Sequence, residues 1–315
     1  MAGPFSTAEF VEHGYSPKIL RGQRFRRVYP RVWVAVDHAW TAADTIEAGR
    51  LCMPSHARMT DITRIQSLGL TLGSVTPLHF VVESDLHIDI AGIVLHRTIA
   101  MPPTDAIGVT PASAFVAFCT HASLIDAIAV GDWLLQRGHM SRNELCELVS
   151  SQPWRDGARE VGYLLAQLVE RSRSIPESRV RTLLLAAGIE GLEVNALLVS
   201  PDGRPLEIDL LARRWNLAIE YEGSHHQEDR GQFLTDIERH AVLRAMHMEY
   251  TLITKEHLRD GQGLVRSVHR RLETLGYDRG EPRFGARWRS LFRPVRDLVR
   301  RNKRGDTAPI PRVGR

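Results

Sequence analysis

The segment Leu206-Glu207-Ile208-Asp209-Leu210-Leu211 is followed, after Arg213-Arg214-Trp215-Asn216, by Leu217-Ala218-Ile219-Glu220-Tyr221-Glu222-Gly223. This pair of segments constrains the fold more than any other part of the chain. Strand side chains alternate faces with period two. Glu207 and Asp209 therefore share a face, as do Glu220 and Glu222, while Ile208, Leu210, Ile219 and Tyr221 fill the other. The pattern predicts a hairpin with an apolar face and a face of four carboxylates. Neither strand contains Lys or Arg to balance them. Like charges facing each other across strands destabilise a sheet, and oxygen clusters of this kind hold hard divalent cations. The hairpin predicts a metal-dependent active site.

The chain has 315 residues, 43% of them hydrophobic, which suffices for two or three globular units. Charged residues, at 25%, are too ordinary in number for a wholly disordered chain. The net charge of +4 is only mildly basic, and its distribution says more than its sum. Basic residues gather towards the two ends and the acidic hairpin lies between, an arrangement suited to gripping a polyanion around a metal site. Cys52, Cys119 and Cys146 are widely spaced and odd in number, so they form neither a zinc pattern nor a disulfide framework. They read as reduced cysteines of a cytosolic protein. Met1 to Ser6 has no basic-then-apolar signal pattern, and no apolar run reaches the roughly 18 residues of a membrane span.

Residues 1–36 read as a small helical unit followed by a β-ribbon. Ser6 is a candidate cap for a helix to Val11, and Ser16-Pro17 opens a second one that stops at Gly22. Arg26 to Val34 is strand-like. Helix, turn, helix, ribbon is the layout of a winged helix-turn-helix. Lys18, Arg21, Arg24, Arg26, Arg27 and Arg31 lie in a stretch free of acids and are the candidate grip on a DNA backbone. The alternative is a packing module with a solvated basic rim.

Residues 37–173 read as an α/β middle domain. Helices are expected over Ala42–Leu51, Ile62–Leu68, Ala112–Phe118, Leu124–Gln136, Asn143–Val149 and Trp154–Arg173, and strands over Leu78–Val82, His87–Ile90 and Gly92–His96. His79, His87 and His96 read as ordinary histidines, because no carboxylate pairs with them at ligand spacing in the sequence. The polar segment Arg171 to Pro176 is the expected domain boundary. Residues 174–278 then read as helix, three strands, helix, strand, helix: a mixed sheet flanked by helices. Residues 279–315 form a basic extension in which Trp288, Leu291, Phe292, Val295 and Val299 interleave with arginines. It is either an amphipathic helix lying on the body or on nucleic acid, or a solvated tail, with Gly305–Arg315 expected to be disordered.

Four elements of residues 174–278 carry a family likeness. They are Pro176-Glu177-Ser178 opening a helix, Asp209 in the hairpin, the run Glu220-Tyr221-Glu222-Gly223-Ser224-His225-His226, and Asp236-Ile237-Glu238-Arg239. Together they resemble the PD-(D/E)XK nuclease superfamily, and within it the Vsr-like endonuclease domains. The N-terminal half resembles the AbiEi-like winged-helix antitoxin architecture, through Tyr15-Ser16-Pro17, the Arg26–Val34 ribbon, and Gly108-Val109-Thr110-Pro111 before the Asp126 helix.

The first resemblance implies a restriction-endonuclease-like mixed sheet and phosphodiester hydrolysis of DNA with Mg²⁺ (or Mn²⁺). Asp209 and Glu220 would be the metal ligands, with the Tyr221 carbonyl as a further oxygen and Glu177 approaching from its helix. His226 is the implied proton carrier, and Arg239 would hold a phosphate or orient a carboxylate. Many superfamily members have lysine where this chain has Glu222. A second cation compensates, or His226 or Lys255 serves as base, or catalysis has been lost. Bland readings stand beside these roles: Glu207 as a surface residue, Glu177 as a helix-end anion, His225 as structural or solvated, and Asp236 with His240 as a surface pair. Two functions follow as expectations: a metal-dependent DNA endonuclease in defence or repair, or a DNA-binding regulator with a degenerate nuclease domain.

Overall fold

A computed structural model describes residues 3–222, 239 and 241–302. The chain divides into two compact units, Met1–Phe118 and Cys119–Arg315. Both are mixed α/β, the class expected from the sequence. No helix among the described residues is long and apolar enough to cross a membrane.

The first unit opens with strand β1 (Phe5–Ser6), helix α1 (Thr7–Glu12), a 3-10 helix (Pro17–Arg21), and strands β2 (Phe25–Tyr29) and β3 (Val32–Ala35). The Ser6 hydroxyl accepts the Glu9 N–H, and the Glu9 carboxylate accepts the Ser6 N–H, a reciprocal cap that fixes the start of α1. After β1, which the sequence reading did not include, helix, helical turn and two strands follow in the expected order. The second helical element, however, is a five-residue 3-10 turn ending at Gly22. At about 2 Å per residue it spans roughly 10 Å. The basic side chains are therefore presented by a ribbon and a short turn, with no long recognition helix.

Val28, Tyr29 and Val32 of the ribbon pack into one core with Ile46 and Cys52 of α2 (Ala42–Cys52) and with Leu78 and Phe80 of β5 (Leu78–Val82). The expected cut after residue 36 therefore falls inside a single core. A second sheet has the order β4-β5-β6, where β4 is Arg58–Met59 and β6 is Ile93–Arg97. β4 runs antiparallel and β6 parallel to β5. α3 (Asp61–Gln66) and α4 (Pro111–Phe118) complete the unit. The strand expected over His87–Ile90 does not form. That segment is irregular, and Ile88 and Ile90 are apolar because they pack on the core from a loop.

The second unit contains α5 (Leu124–Gln136), α6 (Arg142–Ser151), α7 (Ala158–Leu164) and α8 (Ile175–Ala186). The single helix expected over Trp154–Arg173 is instead a short one. It begins after Gly157 at φ 94°, tightens to a 3-10 turn over Leu165–Gln167, and stops. The Val169 N–H that would continue it is bound by the Asp132 carboxylate of α5 at 2.6 Å. The expected boundary at Arg171–Pro176 likewise lies inside this unit. Ser178 of α8 donates to Asp132 at 2.7 Å and accepts from the Ser172 hydroxyl at 2.7 Å, and Arg181 donates to Asp132 at 2.7 Å.

The four-stranded sheet has the order β10-β9-β8-β7, with β7 at Glu193–Val199, β8 at Pro205–Ala212, β9 at Leu217–Tyr221 and β10 at Glu249–Ile253. β7, β8 and β9 are antiparallel neighbours, and β10 runs parallel to β9. The β7–β8 turn closes through Ser200 and Arg204, with Gly203 at φ +81°. The β8–β9 turn is a 3-10 turn ending at Asn216, φ 48°. Of the helix expected over Arg230–Met246, residues 239 and 241–245 are helical and the rest lies outside the described residues. Helices Lys255–Arg259 and Gly261–Thr274 follow. The described part of the basic extension, residues 279–302, lies on its own unit, and Gly305–Arg315 fall outside the described residues. Trp288, Leu291, Val295 and Leu298 are buried, and backbone bonds join Leu124 to Arg293 and Ile125 to Leu291.

Candidate active site

The β8–β9 register pairs Ala212 with Leu217, Leu211 with Ala218 and Leu210 with Ile219. One further step along the same register sets Asp209 opposite Glu220. The Asp209 carboxylate accepts the Tyr221 N–H at 2.9 Å. Glu220 is buried, and Glu177, on the first turn of α8, is buried too. Burial is the main reason that the Asp209 carboxyl is pushed up to about 7. The charges of Glu177 and Glu220 push the same way, while the Tyr221 N–H and Arg239 oppose them.

Glu177 has two roles. Its carboxylate accepts the Arg173 N–H at 2.9 Å, the local contact expected of an anion at a helix start, and its charge also reaches Asp209. Arg239 donates from Nε to Glu220 Oε2 at 3.0 Å and from a terminal nitrogen to Oε1 at 2.5 Å, and it also bonds the Glu207 carbonyl. Of the two roles open to it from sequence, its geometry matches the orientation of a carboxylate. Arg239→Ala removes a positive charge that lowers the Asp209 pKa. The Asp209 titration is expected to move above about 7, which carboxyl-carbon NMR of the metal-free protein would follow.

The four acids of the hairpin are not equivalent. Glu207 pairs with Arg173 and leaves the cluster. Glu222 lies just past the end of β9, half-buried, with its N–H on the Ile253 carbonyl at 2.8 Å. His226 lies outside the described residues, as do Gly223 to Glu238 and His240. Lys255, the other candidate base, is exposed at the start of its helix.

Asp209 and Glu220, with Glu177 behind them, form an all-oxygen donor set. Their oxygens do not close to the 4.8 Å mutual spacing reached by two tighter groups among the described residues. An open set suits Mg²⁺, which keeps several waters and takes one or two carboxylates. The raised Asp209 pKa marks an excess of buried negative charge that a cation would relieve.

In the first unit Lys18, Arg21, Arg24, Arg26, Arg27 and Arg31 are all exposed, and none forms an ion pair among the described residues. Arg26 stacks over Trp40 at 5.1 Å from the ring centroid. Arg31 turns the β2–β3 corner at φ 62°.

One cluster was missed in the sequence. Asp61 comes within 3.9 Å of His79, and His79 within 3.0 Å of His96. The histidines do have a carboxylate neighbour, brought by the fold from the start of α3. No spacing in the sequence signals it, because the three residues lie on α3, β5 and β6. The chain matches no family model, no curated protein and no solved structure.

Proposed function

We propose that the chain is a metal-dependent DNA endonuclease. One observation carries the reading: Asp209 on the hairpin lies buried within reach of the charges of Glu177 and Glu220, and its pKa is pushed up to about 7. Perturbed carboxylates of this kind concentrate at functional sites. Asp209 and Glu220 would hold Mg²⁺ or Mn²⁺. When bound, the ion supplies Lewis-acid polarisation of a phosphate and a lowered pKa for an attacking water. The chain's own contribution is positional. The Tyr221 N–H holds one Asp209 oxygen and Arg239 fixes the plane of Glu220, so both carboxylates are set before substrate arrives. The exposed cations of the first unit provide the sequence-independent attraction to a phosphate backbone.

The test is cleavage of supercoiled plasmid, mismatched duplex and single-stranded DNA with Mg²⁺, Mn²⁺ or EDTA. Divalent-dependent cleavage is expected on at least one of them. The Arg24→Glu, Arg27→Glu double change is expected to weaken DNA binding and flatten its salt dependence, read by fluorescence anisotropy across a salt series.

A second reading has its own observation. Arg239 forks onto Glu220, neutralising one would-be ligand, and Glu222 stands where a lysine is usual in the family resembled. A DNA-binding regulator with a degenerate nuclease site would bind DNA without cutting any of the three substrates.

A further inference from the structure

We propose that Asp61, His79 and His96 form a second cation site, in the first unit, for one Zn²⁺-class transition metal. The ligand atoms come from three elements and all lie within 4.8 Å of one another. His79 Nδ1 and His96 Nε2 are 3.0 Å apart, and Asp61 Oδ2 is 3.9 Å from His79 Nδ1. Two donors each about 2.1 Å from a tetrahedral ion stand about 3.4 Å apart. The two spacings bracket that value, and the third lies within the 4.8 Å that encloses all three atoms.

The scaffold explains why the three meet. β5 and β6 run parallel with Val81 opposite His96. His79 is two residues from Val81 and so shares its face, which makes the two imidazoles diagonal neighbours. Their rings stack at 5.3 Å between centroids. Asp61 opens α3 with φ 55°, in the left-handed region, so the backbone itself aims its side chain. Asp61 Oδ1 accepts the Ile62 N–H, and Oδ2 is the oxygen towards His79.

Burial is graded across the site. The Asp61 side chain is 2% exposed and that of His79 is 13% exposed, while His96 is at the surface. Two imidazoles and one carboxylate suit zinc and its neighbours and not Mg²⁺ or Ca²⁺. Three protein ligands leave a fourth position for water or a ligand on the solvent side. The site is distinct in donor chemistry and in position along the chain from the oxygen cluster around Asp209.

The test is titration of the untagged full chain with Zn²⁺ and with Co²⁺. Bound metal would be measured by equilibrium dialysis and mass spectrometry, and Co²⁺ geometry by its visible d–d absorption. One tetrahedral equivalent, read from the Co²⁺ spectrum and from a Zn²⁺-dependent rise in Tm, is expected in wild type and in Asp209→Ala alike, over and above any ion held by the oxygens around Asp209. His96→Gln, at an exposed position that leaves the fold intact, is expected to weaken binding by more than about tenfold and to remove the Tm rise. His79→Gln should do the same, whereas Asp209→Ala should change neither. Absent or substoichiometric binding would overturn the proposal and leave the two rings as an imidazole–imidazole hydrogen bond. Binding insensitive to both histidine changes, or lost instead in Asp209→Ala, would also overturn it.

Discussion

Asp209→Asn is expected to abolish metal-dependent cleavage and at the same time to stabilise the metal-free protein. The two effects have one cause. A carboxylate lifted to about 7 by burial and two neighbouring carboxylates is one the fold holds at a cost. Asparagine keeps an oxygen for the Tyr221 N–H and removes the charge. An ion that contributes several kcal/mol of Lewis-acid stabilisation loses its central ligand, so cleavage should fall by at least about a thousandfold.

The pH dependence has a definite sign. The folded-state pKa of Asp209 is raised above its ordinary value of 3.8, so between about 4 and about 7 the folded state holds a proton that the unfolded state has released. This group therefore lowers stability progressively as pH rises through that window. The deficit is complete above it and absent below it. Its ceiling is about 4 kcal/mol. Urea unfolding of wild type and Asp209→Asn in EDTA should give the same midpoint near pH 4, and a higher midpoint for the variant at pH 8. Saturating Mg²⁺ should close the gap at pH 8 by stabilising the wild type alone. Equal midpoints at pH 8 without metal would mean that the carboxylate is not under strain. Cleavage that survives the substitution would remove Asp209 from the metal site.

The elements that position Asp209 were readable because each is specified locally. Period-two alternation set the faces of β8 and β9, and Pro176-Glu177-Ser178 marked the start of α8. The parts that were not readable depend on contacts distant in sequence. The break after α7 follows from Asp132 capturing the Val169 N–H, a bond between residues 37 apart in the chain. The polar segment Arg171–Pro176 looked like a linker because its serines are polar, yet Ser172 is buried against Ser178 and its polarity serves an internal network. The loop around His87 carried apolar residues that belong to the core without belonging to a strand. The cluster of Asp61, His79 and His96 was invisible for the same reason. Parallel pairing of β5 and β6, which no local spacing encodes, brings its two imidazoles together. Arg239 stood out in the sequence with two roles open to it, and its partner Glu220 could be chosen only once the sheet was in hand.

That internal network yields the largest stability effect expected in this chain. Asp132 of α5 is fully buried. It accepts the Val169 N–H at 2.6 Å, the Ser178 hydroxyl at 2.7 Å and Arg181 at 2.7 Å. Arg181, 2% exposed, also reaches towards the Gln167 carbonyl. Burial pushes the Asp132 carboxyl up, and Arg181, the Val169 N–H and the Ser178 hydroxyl pull it down. One side chain thus joins α5, the end of the α7 segment and α8, the helix that carries Glu177. Removing one member of a buried pair strands the other charge, so Arg181→Ala and Asp132→Ala are each expected to cost about 3–5 kcal/mol. Removing both with apolar residues of similar volume removes the stranded charge. Asp132→Leu combined with Arg181→Met is therefore expected to cost less than either alanine change, although the Val169 N–H and Ser178 still lose a partner. Denaturant unfolding of the three variants reads this directly. If the double variant is as unstable as the sum of the two single changes, the network acts through shape and not charge. A second consequence links stability to the site. Because Asp132 anchors the first turns of α8, Asp132→Asn should loosen Glu177 relative to Asp209. The Asp209 titration should then fall towards the ordinary carboxylate range even where the protein remains folded, since one of the charges that raises it has moved away.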